Sequence, residues 1–161
     1  MRKIDSLLEE YAESHQKKLN IAIHYICVPL IFFSLIGLLA SIPFPEFISE
    51  LFPDSLKVYI HFGTVVILLG LLYYLRLSFV LFIGMLLFSA LVLVGIHIIN
   101  QISMTPLWLS MTLIFVLAWI GQFIGHNHEG KKPSFLKDLQ FLMIGPAWTM
   151  SHLFEALRIK F

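Results

Sequence analysis

The chain has 161 residues, of which 58% are hydrophobic, 14% aromatic and only 13% charged, with a formal net charge of +1. An ordinary soluble domain is nearer half apolar and a quarter charged, so this composition argues against a water-soluble core and for the bilayer as solvent. Near-neutrality gives no support for nucleic-acid binding, and a lone cysteine, Cys27, excludes an intramolecular disulfide.

Length is that of one domain, residues 1–161. At the start, Ile4, Leu7, Leu8, Tyr11 and Ala12 share one helical face with charges around the rest. This pattern predicts an N-terminal amphipathic helix over about 2–18, lying at the membrane surface. Glu9, Glu10 and Glu13 without an apolar run speak against a cleaved signal peptide. A first span is expected over about 21–41, with Cys27 as a small buried residue and Pro29 as a kink. "IPFPEFISELFPDSLK", with three prolines and four charges, reads as a loop or short interfacial helix.

Between Arg76 and Glu129 no Asp, Glu, Lys or Arg occurs. At about 20 residues per span that stretch holds two helices and a turn. Spans are expected over about 58–75, 78–99 and 107–124, which makes about four transmembrane helices in an all-α integral membrane protein. "GHNHEGKKPS" reads as a polar turn with Gly125, Gly130 and Pro133 as breakers. The last segment, 135–160, carries charges and a Gly145-Pro146 break; interfacial or re-entrant helices are preferred there to a fifth span.

With both termini cytoplasmic, Arg2, Lys3, Lys17, Lys18, Arg76, Lys131, Lys132, Lys137, Arg158 and Lys160 lie inside and only Lys57 outside, a strong positive-inside bias. Short loops and no obvious retrieval signal favour a bacterial inner membrane over an endoplasmic reticulum.

The same topology sorts the seven histidines. His61 and His97 fall near the outer ends of spans and are read as structural. His15, His24, His126, His128 and His152 collect at the inner face, from three distant parts of the chain. Imidazole suits iron, zinc, copper and nickel. In one continuous helix His15 and His24 would point about 180° apart, so they share a site only if the helix breaks near Lys17 to Asn20. The plain alternative is that single histidines at helix ends are water-facing or hydrogen-bonded anchors. Tyr11, Tyr25 and Trp148 would then be interface aromatics, and Lys131 and Lys132 topology charges or headgroup contacts. Five ligating groups at span mouths weaken that alternative, because such groups are expensive in a membrane and tend to be functional.

"YAESHQKKLNIAIHYICVP" sets His four residues after Tyr, Asn five further on, then His four later and a Val-Pro. "QFIGHNHEGKKPSFLKDLQFLMIGPAW" has a Gly-His pair followed by Glu, a basic pair, Pro and a later Pro. Together they resemble the two motifs of the 2-hydroxy fatty acid dioxygenases, small membrane proteins of phytosphingosine to odd-numbered fatty acid metabolism. The resemblance implies an iron(II)-dependent α-oxidation in which a 2-hydroxy long-chain fatty acid and O2 give an acid one carbon shorter. It implies His15, His24 and His126 as metal ligands, with His152 as a further candidate; His128 stands outside the motif and is a weaker one. Tyr11, Asn20 and Glu129 would assist catalysis, the first two by orienting ligand imidazoles, and Lys131 or Lys132 would attract the carboxylate. The acyl tail would lie between spans among membrane lipids. A competing, non-enzymatic reading is a small transporter or a lipid- or metal-binding scaffold. Against a conduit, the mid-span polar groups are few, namely Thr64, Ser89 and Thr112.

Overall fold

A computed structural model describes residues 2–130 and 141–160. The described residues are helical with no strand, as an all-α membrane protein requires. In order the helices are α1 (Lys3–Ala12), α2 (Lys18–Ala40), α3 (Glu46–Ser49), α4 (Asp54–Lys57), α5 (Phe62–Leu77), α6 (Phe79–Ile102), α7 (Leu107–Glu129) and α8 (Ile144–Ala156). Three of them, α2, α6 and α7, are long and apolar enough to cross a membrane.

α5 is apolar but has only 16 residues, about 24 Å against a hydrocarbon core of about 30 Å. Its expected first turn, from Val58, is not part of it. His61 instead caps the helix, its Nδ1 accepting the Thr64 N–H at 3.2 Å. α5 and α6 are joined by Ser78 alone, whose extended backbone turns the chain and whose Oγ accepts from the Leu81 N–H. The Pro-rich stretch before α5 forms the two single-turn helices α3 and α4. α2 runs on through Pro29 as one helix.

α1 begins where the Arg2 main chain and guanidinium both donate to Asp5. Its apolar face, with Ile4 and Tyr11 buried, packs on α8. In α8 the Gly145-Pro146 pair does not break a helix but opens one, in the first turn where proline costs no hydrogen bond. Thirteen residues make about 20 Å, too short for a fifth span; the helix instead buries Ala147, Trp148 and Phe154 against α1, α2 and α6.

One core joins Phe32 and Ile36 of α2 to Ile67 and Tyr74 of α5 and to Leu81 and Met85 of α6. Tyr74 satisfies its hydroxyl by donating to the Met143 carbonyl at 2.6 Å. Thr64 and Thr112 donate to main-chain carbonyls of Tyr59 and Trp108, so these hydroxyls are consumed locally and line no polar path.

α7 packs chiefly along α2, and two glycines four apart set how closely. A Cβ on Gly121 would stand 2.6 Å from Cys27 Sγ, and one on Gly125 would stand 2.4 Å from Asn20 Oδ1. Small residues at this spacing let membrane helices approach backbone to backbone. Gly125, expected as a turn residue, is therefore helical. The helix ends at Gly130, which holds φ +80° in the left-handed region. Gly125→Ala should force α2 and α7 apart, at a cost of about 1–3 kcal/mol from overpacking. Thermal unfolding in detergent measures it, and an unchanged midpoint would deny the close approach.

Candidate metal centre

His15 stands between α1 and α2, where residues 13–17 turn the chain. This break, slightly earlier than expected, removes the opposition that a continuous helix would impose on His15 and His24. A polar joint holds it. The Asn20 side chain is fully buried, and its Nδ2 donates to the Ser14 carbonyl at 3.2 Å and to Glu129 Oε2 at 3.0 Å. Glu129 also accepts the Gln16 N–H at 3.2 Å and the Lys17 N–H at 3.0 Å. A carboxylate is well placed there, because the start of α2 exposes main-chain donors at the positive end of its dipole. In return Lys17 Nζ donates to the His128 carbonyl at 2.6 Å, at the negative end of α7. The break and the end of α7 are thus fastened together, although the joined residues lie up to 113 positions apart.

Because α7 continues through "GHNHE" as helix, His126 lies on its buried face, one turn after the buried Gln122. His15, His24 and His126 come together: each offers a nitrogen, and these nitrogens lie within 4.8 Å of one another. The ring centroids are 4.2 Å apart for His15 and His24, 4.8 Å for His24 and His126 and 5.3 Å for His15 and His126. All three side chains are buried, at 3%, 0% and 3% exposure.

Two of the rings are oriented from behind. His15 Nδ1 lies 2.7 Å from the Tyr11 carbonyl and His24 Nδ1 lies 2.9 Å from the Asn20 carbonyl. A carbonyl only accepts, so both Nδ1 atoms carry the proton and both Nε2 atoms present a lone pair. Tyr11 and Asn20 thus orient the imidazoles through their main-chain carbonyls. His24 Nε2 is buried without a hydrogen-bond partner among the described residues. A buried nitrogen left with a lone pair is costly unless something uses it, and three imidazoles converging at this distance, two of them held by carbonyls, fit a metal ion.

The surroundings are aromatic. Tyr11 stacks on His15, with centroids 4.3 Å apart and planes at 12°. Trp148 lies 5.4 Å from His15 and 5.3 Å from Tyr11. Tyr11 and Trp148 are buried at 5% and 2% exposure and so belong to the core and not to an interfacial belt; Tyr25, at 38%, is exposed.

The other candidates fall outside the three-histidine group. His128 is exposed. His152 packs on Trp148, 4.4 Å from its ring, with Nδ1 donating to the Trp148 carbonyl at 2.9 Å. Glu129 spends its oxygens on the joint described above. Lys131 and Lys132 lie outside the described residues. Gln122 escaped the sequence reading; its signal was an amide in an apolar helix, four residues before a histidine.

Removing the joint should loosen the centre without touching a histidine. For Glu129→Ala we expect about 0.5–2 kcal/mol of lost stability from the missing cap and about 10–100-fold weaker metal binding. Metal titration of the purified protein, alongside thermal unfolding, reads both, and unaltered metal affinity would mean that the joint does not position His15.

Comparison with known proteins adds the family. Residues 1–157 match the family described as 2-hydroxy-palmitic acid dioxygenase Mpo1-like. No curated protein and no solved structure gives a match. With nearly its whole length matched and three buried histidines gathered from both of its motifs, the chain belongs to the Mpo1-like family.

Proposed function

We propose that the protein is an iron(II)-dependent dioxygenase that shortens 2-hydroxy fatty acids by one carbon, with His15, His24 and His126 as the metal ligands. The observation that carries this reading is the buried three-histidine group in a chain of a family named for 2-hydroxy-palmitic acid dioxygenation. Iron(II) would supply the redox chemistry that dioxygen requires and accept the hydroxyl and carboxylate oxygens of the substrate.

The protein's own share is positioning and shelter. The main-chain carbonyls of Tyr11 and Asn20 fix which nitrogen of His15 and His24 faces the metal. The rings of Tyr11 and Trp148 cover His15 on the side of α8. They keep bulk water from the centre, which strengthens electrostatic interactions inside it. Lys131 and Lys132 follow directly on α7 and His126 in the chain and would draw the substrate carboxylate. Both termini would be cytoplasmic, with the centre at that face, so a fatty acid would reach it sideways from the leaflet.

Three histidines are a sparser set than the five in the sequence reading, and the difference is testable. His15→Ala, His24→Ala and His126→Ala should each lose bound iron. Each should also lose turnover of 2-hydroxypalmitic acid by more than the about 10–100-fold that an outer partner costs. His128→Ala should keep both. The assay is conversion by detergent-purified protein with iron(II), followed by mass spectrometry for an acid one carbon shorter, with metal content measured on the same samples. Full turnover without any one of the three histidines would sink the ligand assignment.

A further inference from the structure

A cavity of about 590 Å³ lies between α2, α6 and α8. Its volume falls within the about 300–1,000 Å³ of small-molecule sites. Most of the lining is apolar, including Pro29, Phe88, Met150 and Leu153, and polar groups enter mainly from Tyr25, His152, Thr149 and Glu155.

The lining is graded along α2. Tyr25 comes first, Pro29 one turn later, and Phe32 three residues further, where it meets the Phe88 ring at 5.6 Å. Residues at the Tyr25 end lie against Trp148: His152 at 4.4 Å and Tyr25 at 5.5 Å between centroids. The same indole also lies against the metal group, through His15 and Tyr11 at 5.4 and 5.3 Å. Trp148 therefore neighbours both the polar end of the apolar cavity and the three-histidine group. Met150 crosses Gly84 of α6, with Sδ 3.1 Å from where a Cβ would stand.

An apolar cavity bounded by two helices of spanning length fills with hydrocarbon more readily than with water. The polar groups Tyr25 and His152 of the lining stand beside Trp148, which itself lies against the metal group. We propose that this cavity holds the acyl chain of the 2-hydroxy fatty acid, head towards Trp148, with Phe88 bounding the end away from Trp148 and setting the preferred chain length. This rests on the dioxygenase reading for the identity of the head group, while the seat of the chain is an independent claim.

The experiment uses the full chain in lipid nanodiscs and a 2-hydroxy fatty acid bearing a diazirine at its methyl end. Photolysis and peptide mapping should place the label on Phe88, Met150 or Leu153, and excess 2-hydroxypalmitic acid should displace it while added phosphatidylcholine does not. Label on the outward face of α7, or displacement by phosphatidylcholine as readily as by the hydroxy acid, would overturn the proposal. Leu153→Trp, at a half-exposed position that tolerates bulk, should narrow the cavity, and Phe88→Ala should lengthen it. Each should move the preference between acids by about tenfold, the lower end of what one methylene is worth in an apolar pocket, in opposite directions. This shift is read by displacement of the label as well as by turnover. Correct labelling without turnover would uphold the chain site and sink the dioxygenase reading; turnover with label elsewhere would do the reverse.

Discussion

The hydrogen bond from Asn20 to Glu129 is the constraint on which the rest of the site depends. It links the first turn of α2 to the last residue of α7, and it lies where two helices approach closely enough to demand glycine at position 125. Each partner does a second task. Asn20 also holds Ser14, and its own carbonyl orients His24. Glu129 also accepts from Gln16 and Lys17 on either side of the helix start. The chain break that carries His15 is thereby fixed against His24 and His126 by groups that need not touch a metal.

This arrangement meets a conflict inherent in an apolar chain. Imidazoles buried at the mouths of membrane helices need partners, and a bilayer supplies few. Here the main chain meets the need: two carbonyls satisfy the rear nitrogens, and aromatic rings fill the remaining volume. The polar residues deeper in the helices are settled within their own turns, as Ser34 and Thr112 show. The histidine group stands at one end of the bundle, while the hydroxyls of Ser34 and Thr112 are consumed locally.

How legible this was depended on whether a residue's role lies in its own chemistry or in its neighbours. Histidine is a ligand type wherever it stands, and nine residues of helix between His15 and His24 are enough to demand a break if both are to face one point. The spans around residues 21–41, 78–99 and 107–124 followed from unbroken hydropathy. Gly125 was opaque, because glycine marks a turn or a tight helix contact according to what lies opposite, and only Asn20 decides. Glu129 beside His126 looks like chemistry until the donors of Gln16 and Lys17 are found converging on it from the other end of the chain. Trp148 was ambiguous for a similar reason: aromatic residues near a membrane surface belong to a belt or a core depending on whether a helix such as α1 covers them. The short reach of α5 was hidden because apolar residues continue before its start, and only the capping by His61 places its first turn.

The joint also fixes when the centre can come into being. Two of its histidines are made early, within the first 24 residues, while the third and the carboxylate that fastens the break arrive only at the end of α7. Contacts of such long sequence separation form late, after the loop between them has been closed. A nascent chain inserted as far as α6 therefore has His15 and His24 but neither His126 nor Glu129 to bring them to a common point. Assembly of the three-histidine group is in this sense a final step, and a chain truncated before α7 lacks the third histidine.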